Sequence, residues 1–319
     1  MRRRGDVALT RWLGTVTEYA GLLLVLAGLV VGFGLVTDHF FTPTTLRTVA
    51  NQVPDIVFVA TGMTFVIIAG GIDLSVGSIL ALSGAVLGIA LADWRLPLGA
   101  AFGLALATGA ACGALNGVFV TAWTLPSFIV TLGMLEIARG AAYLVTASQT
   151  KYIGGAVEVI NAPIVAGLSS PFLLALATVA LGQFVLTRTV FGRHLVAVGA
   201  NPQAAWLSGI DPRPIRFTTF MVAGIASAVA AVAQSGRLAA ADPNAGIGLE
   251  LQAIAAVVIG GTSLMGGRGS VVTTFLGVLI IAVLGAGLAQ MGVQEPTRRL
   301  VTGAVIVAAA IADYYRSRR

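Results

Sequence analysis

Residues 70–78 read Gly70-Gly71-Ile72-Asp73-Leu74-Ser75-Val76-Gly77-Ser78, a carboxylate, two hydroxyls and three glycines set between two long apolar runs, 54–69 and 79–92. Both runs read as membrane spans. A carboxylate at membrane depth costs about 2.5–3.5 kcal/mol on insertion scales, so it faces protein or water rather than lipid. The glycines Gly70, Gly71 and Gly77 mark a helix break, which a bilayer tolerates only where the freed backbone lines a cavity or packs inside protein. Two roles are open to Asp73 and Ser75: capping the helix that follows, or lining a path for a polar solute.

The other polar residues within or beside apolar runs are Asn51, Gln52, Asn116, Ser127, Glu136, Arg139, Gln183 and Gln234. Glu136 and Arg139 are three apart, so a helix places them on one face, and a mutually neutralised ion pair is expected. Asn116 lies between Gly113 and Gly117, a small-xxx-small pattern that brings helices close, and serves either as packing glue or as a pore-facing amide. Asn51, Asp73, Ser75, Asn116, Ser127 and Gln234 are the candidates for a solute path. Amides and hydroxyls both donate and accept hydrogen bonds, which suits a hydroxyl-rich neutral solute.

Catalytic chemistry is not indicated. His39 and His194 are far apart, and neither a His-Glu-x-x-His pair nor a Gly-x-Ser-x-Gly elbow occurs. No catalytic or metal-ligating residue is assigned. The only lysine, Lys151, stands between Thr150 and Tyr152. A Walker A loop needs Gly-Lys-Ser/Thr, so if ATP hydrolysis drives this protein, a partner chain must bind the MgATP. Cys112 has no second cysteine to pair with.

These residues need elements to hold them, and composition says which kind. Of 319 residues 57% are hydrophobic and 10% charged, far below the roughly 25% of soluble domains. The reading is an all-α polytopic membrane protein. About 20 apolar residues cross a bilayer. Ten spans follow: 19–36, 54–69, 76–92, 98–122, 126–146, 164–187, 217–234, 249–265, 270–291 and 300–314, several interrupted by glycine-rich breaks. An even count puts both termini on one side. With them inside, twelve of the arginines are cytoplasmic, among them Arg2, Arg3, Arg4, Arg11, Arg316, Arg318 and Arg319; six cations, Arg47, Arg95, Lys151, Arg237, Arg298 and Arg299, lie outside. That asymmetry favours cytoplasmic termini. It is also why the net charge of +6 signals topology rather than nucleic-acid binding. The layout is a cytoplasmic Arg-rich N-terminus (1–18), one transmembrane domain (19–315) and a short cytoplasmic tail (316–319). The apolar segment 19–36 exceeds the 7–15 residues of a signal peptide and is read as a retained first helix.

Two connections stand out. The outer segment 146–163 is polar and loop-like. The inner segment 187–216 is the longest cytoplasmic connection, with two short helices expected at 190–200 and 202–210. Asn201-Pro202 between them is a cap followed by proline at the first helical position. There is also an internal echo, in which residues 66–71 (VIIAGG) match 257–261 (VVIGG). Internal repeats are common in transporter folds. Gly260, Gly261, Gly266 and Gly267 form the second glycine-rich break.

Five blocks resemble ribose-type ABC sugar permeases, in the branched-chain amino acid/ribose permease superfamily. They are VIIAGGIDLSVGSILA (66–81), LNGVFV (115–120), PSFIVTLG (126–133), FGRHLVAVGANPQAAWLSGI (191–210) and AIAAVVIGGTSLMGGRG (253–269). They occur in the expected order from about residue 45 to the C-terminus. The resemblance implies the membrane subunit of a bacterial importer in the inner membrane. Two permeases, identical or different, would pair on two cytoplasmic ATPase subunits, and an extracytoplasmic binding protein would deliver a monosaccharide. It makes 188–216 the ATPase-coupling loop, with Arg193, Gly199, Asn201, Pro202, Ala204, Ala205 and Gly209 at its centre. Gly70, Gly71, Gly77, Gly260, Gly261, Gly266 and Gly267 then belong to breaks near the cytoplasmic gate, and Asp73 holds that geometry. Other solutes on the same scaffold are branched-chain amino acids, nucleosides and furanosyl signalling molecules. An ion-coupled secondary transporter would need intramembrane ion sites that this sequence mostly lacks.

Overall fold

The computed structural model describes residues 4–38, 40–165 and 167–317. Arg2, Arg3, His39, Arg318 and Arg319 lie outside the described residues. The helices are α1 (Arg4–Val36), α2 (Pro43–Gln52), α3 (Pro54–Ile68), α4 (Val76–Ala92), α5 (Leu98–Ala122), α6 (Ser127–Thr146), α7 (Gly155–Asn161), α8 (Ser170–Arg188), α9 (Val190–Ala200), α10 (Pro202–Leu207), α11 (Pro212–Leu238), α12 (Leu249–Ile259), α13 (Val271–Gln290) and α14 (Glu295–Ser317). Four short strands, β1 (Lys151–Tyr152), β2 (Pro163–Val165), β3 (Leu168–Ser169) and β4 (Ala240–Ala241), pair antiparallel as β1–β4 and β2–β3.

Each expected span has a helix at its core, but not all of them are crossings by length. Six helices among the described residues are long and apolar enough to span: residues 19–36 of α1, then α5, α6, α8, α11 and α13. A seventh arises if α2 and α3, bent by 42° at Val53, count as one. The bend follows from Pro54, whose missing amide and fixed φ start a new helix at its first position. α4 has 17 residues and α12 only 11, about 16 Å of helix, roughly half of a 30 Å core.

Three boundaries differ from the sequence reading. The span expected from residue 164 begins at Ser170, because β2 (Pro163–Val165) pairs with β3 (Leu168–Ser169) ahead of it. The span expected over 249–265 stops at Ile259, where the chain turns at Gly260-Gly261. The segment 146–163 is not merely a loop, since it contains β1 and α7.

The centre of the bundle is α3, buried at fourteen of its fifteen positions, with α11, α12, α13 and α8 around it. α5 lies against α11 with almost no side chain between them. Gly109, Gly113 and Gly117, one per turn, face Gly224, Phe220 and Phe217, and a β-carbon at Gly109 or Gly113 would strike the backbone carbonyl of Gly224 or Phe220. Without a hydrophobic drive between helices in lipid, such close backbone approach is what holds them together.

The two ends of the bundle differ in charge. At the end where α3 begins, Asp55 pairs with Arg237 (2.7 Å), Asp93 with Lys151 (2.8 Å), and Glu295 with Arg298 and Arg299. At the end where α3 finishes, Arg188, Arg193, Arg213, Arg216 and Arg268 take part in no ion pair among the described residues. That second end carries α9 and α10.

Candidate functional site

The internal echo is a structural repeat. After α3, the Gly70 amide donates to the Ile67 carbonyl (2.9 Å) and Gly71 to Val66 (2.9 Å). After α12, Gly261 donates to Val258 (2.8 Å) and Thr262 to Val257 (3.1 Å). Both are Schellman caps, with Gly70 at φ +78° and Gly261 at φ +81°, a conformation that an L side chain adopts only with strain. Gly70 therefore matches Gly261, a register that aligns Gly71 with Thr262.

The two breaks touch, and α9 seals them. The Gly267 amide of the second break donates to the Ile68 carbonyl at the end of α3 (2.9 Å). Gly266 lies against Gly70 and the carbonyl of Gly199, and Gly267 lies against Ala200. A β-carbon on Gly199 would overlap the Ile68 carbonyl oxygen and stand 2.6 Å from the Gly267 nitrogen. Three separate segments thus converge on one point through backbone atoms. Beyond it, Asn201 Oδ1 accepts the Ala204 amide (3.0 Å) and starts α10 behind Pro202. α10 buries Ala205 while Ala204, Trp206 and Leu207 are exposed, as is Arg193 on α9, and the left-handed Gly209 ends it.

The first break is held from both sides. Asp73 Oδ1 accepts the Ser75 amide (2.9 Å) and hydroxyl (2.6 Å), and Asn116 Nδ2 of α5 donates to Ser75 Oγ (2.9 Å). All three residues are buried, and Asp73 Oδ2 and Asn116 Oδ1 have no partner among the described residues. From α6, Ser127 Oγ accepts the Ile72 amide (3.0 Å). Thr131 Oγ1 accepts the Leu74 amide (3.1 Å) and donates to the Ile72 carbonyl (3.2 Å). Ser75 stands at the N-cap position of α4, yet its own side chain caps nothing; Asp73 takes its amide. A cavity of about 230 Å³ beside the break is lined by Gly70, Gly71, Ser127, Arg216 and Phe220 among others.

The second break is fastened at its far end. Gln183 Oε1 of α8 accepts the Ser270 hydroxyl (3.1 Å) and the amides of Val271 (2.9 Å) and Val272 (3.3 Å), closing the open start of α13.

The six solute-path candidates do not form one site. Asp73, Ser75, Asn116 and Ser127 converge on the first break. Asn51 instead pins the β2–β3 hairpin, donating to Gly167 O (3.4 Å) and accepting from Ser169 N (3.0 Å). Gln234 sits half-buried near the Arg237 end of α11.

A third irregular stretch was missed in the sequence. Residues 242–248 lead from β4 into α12. Gly88 on α4 packs on Ala241, whereas Gly77, eleven residues earlier, packs on the carbonyl of Gly246. The strand end and Gly246 are therefore about 16 Å apart in depth, and the segment runs back into the bundle rather than lying outside. Arg139 Nη1 donates to the carbonyls of Pro243 (2.6 Å) and Ala245 (2.8 Å), and Tyr143 Oη donates to Asn244 Oδ1 (2.9 Å). The expected Glu136–Arg139 ion pair is not formed. Arg139 turns to two backbone carbonyls, because unpaired backbone at membrane depth is costly. The signals were an arginine inside a span and the turn-rich string ADPNAGIG; their connection is tertiary.

Broken helices paired by a repeat, their backbone fastened inside the bundle, and an exposed two-helix segment seated on both breaks define a membrane transport subunit rather than a soluble enzyme. The family model described as the permease component of the branched-chain amino acid transport system matches residues 45–310. The ribose import permease of Haemophilus influenzae is 35% identical over 298 residues, covering 92% of this chain and 91% of its own length. The fructose import permease of Rhizobium meliloti is 34% identical over 307 residues (92% and 84%), and the D-allose transport permease of Escherichia coli is 36% identical over 297 residues (92% and 90%). This chain belongs to that permease family. It is a multi-pass protein of the bacterial inner membrane.

Proposed function

We propose that this chain is the membrane permease subunit of an ATP-driven monosaccharide importer, pairing with a second permease and with cytoplasmic ATPases that bind MgATP. A binding protein outside the membrane delivers the sugar. The observation that carries the coupling role is the seat of α9 on both glycine breaks. Force on the exposed Ala204, Trp206 and Leu207 of α10 reaches Gly70 and Gly267 through backbone contacts that have no slack. The curated relatives, named for ribose, fructose, allose and arabinose, support the solute class.

In this reading both termini are cytoplasmic and the chain crosses or enters the membrane at ten places, with 19–315 as one domain between the N-terminal 1–18 and the tail 316–319. The unpaired arginines at the α9–α10 end support that orientation. Asp73, Ser75, Asn116 and Ser127 hold the gate's geometry.

The family description names branched-chain amino acids, which makes them the second reading for the solute. Proteoliposomes containing this permease with its ATPase and binding protein test both. ATP-dependent uptake of a neutral monosaccharide is expected. Uptake of leucine instead establishes the second reading, and uptake on an ion gradient without ATP overturns the assignment.

A further inference from the structure

Glu136 is the tenth of the twenty residues of α6, at the midpoint of a helix long and apolar enough to cross the membrane. It is exposed, and it makes no hydrogen bond or ion pair among the described residues. A carboxylate there does not face hydrocarbon without a penalty of kilocalories. Its helix shows which side it takes. Glu136, Arg139 and Tyr143 recur at intervals of three and four and form one polar stripe. Ile137 and Leu144, 66% and 85% exposed, form the neighbouring apolar stripe.

The polar stripe faces the re-entrant segment. Arg139 and Tyr143 bind residues 243–245, and the carboxylates of Glu250, Asp242 and Glu136 lie near enough to Arg139 to act on its charge. The helix surface beside Glu136 is not covered by the rest of the described chain: β-carbons added at Gly133 and Gly140, one turn to either side, would meet nothing within 4 Å. Arg139 spends one terminal nitrogen on the two carbonyls, while Glu136 and Glu250 accept no hydrogen bond among the described residues.

We propose that Glu136, Tyr143, Asn244 and Glu250 form a mid-membrane contact site for the transported solute, on a water-lined path along α6. The class is a neutral polyol. Carboxylates accept pairs of hydrogen bonds from neighbouring hydroxyls, the Asn244 amide both donates and accepts, and three carboxylates against one arginine repel an anion. The site adjoins the first break, since Glu250 Oε2 lies against Gly77, but it shares no residue with the buried Asp73–Ser75–Asn116 group, and it rests on the reading of the chain as a sugar importer.

Thiol labelling tests it with the complete importer in membrane vesicles. In a Cys112→Ala background, E136C and Y143C are compared with I137C and L144C, using a membrane-impermeant cationic methanethiosulfonate. The polar-stripe thiols are expected to react at least about tenfold faster, since only a hydrated thiol ionises readily. A mixture of ribose, fructose, allose and arabinose, supplied with the binding protein, should slow labelling at E136C. Equal rates in the two stripes, or rates indifferent to sugars that do stimulate ATP hydrolysis, overturn the site. If no neutral sugar stimulates hydrolysis in the unmodified complex, the importer reading fails instead, and the stripe comparison still decides whether the path is water-lined.

Discussion

Gly199→Ala is the sharpest probe of the junction, because local and tertiary physics predict opposite signs. Gly199 lies within α9, and replacing a helical glycine by alanine ordinarily stabilises by about 0.5–1 kcal/mol. Here the added methyl would overlap the Ile68 carbonyl oxygen and sit 2.6 Å from the Gly267 nitrogen, against 3.4 Å for ordinary contact. Opening that gap stretches the 2.9 Å Gly267–Ile68 hydrogen bond to about 3.7 Å, beyond bonding distance. Overpacking costs about 1–3 kcal/mol and the lost bond about 0.5–1.5. The net expectation is destabilisation by about 2–3 kcal/mol, with α9 lifted off both breaks. Thermal unfolding of the purified permease reads the first part. Hydrolysis of ATP by the reconstituted complex, with and without loaded binding protein, reads the second, and stimulation should fall severalfold more than basal turnover. Gly133→Ala, in the same kind of helix but facing open space, is the control and should be neutral or stabilising. A Gly199→Ala protein that melts at or above the parent temperature and keeps full stimulation would refute the reasoning.

Other substitutions test the fastenings. Arg139→Leu strips the donors from the carbonyls of Pro243 and Ala245, costing about 1–3 kcal/mol for each carbonyl left dry, and Arg139→Lys should recover part of this, because one ammonium can also donate to both carbonyls but sits on a shorter, more flexible stem; unfolding midpoints rank the three. Asp55→Asn or Arg237→Met breaks a pair whose carboxylate is 8% exposed, at a cost of about 3–5 kcal/mol if the remaining charge stays buried, while the double change should cost less than either alone, as a double-mutant cycle will show. Asp73→Asn keeps an acceptor for Ser75 but changes the charge of a fully buried group; uptake should fall while the preference between competing sugars stays fixed. A changed preference would place Asp73 in contact with the solute.

Much of the architecture was written locally. Apolar run lengths located the helix at the core of each expected span, though not α2 or α7, Asn201-Pro202 announced α10, and paired glycines announced both breaks, because propensity, capping and left-handed φ are properties of a few neighbouring residues. Span edges were less legible. The apolar stretch 164–169 has the composition of a span start and forms a hairpin instead, pinned by Asn51 from over a hundred residues away.

By itself, then, the sequence determined a helical membrane protein with two glycine-rich breaks and no nucleotide-binding loop of the Walker type, and its resemblance made it a permease; that the two breaks are equivalent came from their matching caps. Only the tertiary structure decided what the polar residues do. Glu136 and Arg139 had the spacing of an ion pair, yet Arg139 went to the carbonyls of a segment a hundred residues on, and Asn116 and Ser127, unremarkable in their own helices, went to a break forty to sixty residues earlier. The physical reason is common to all of them. Backbone exposed at a break inside the membrane must find partners within the protein, and which side chain supplies them depends on which helices come together there.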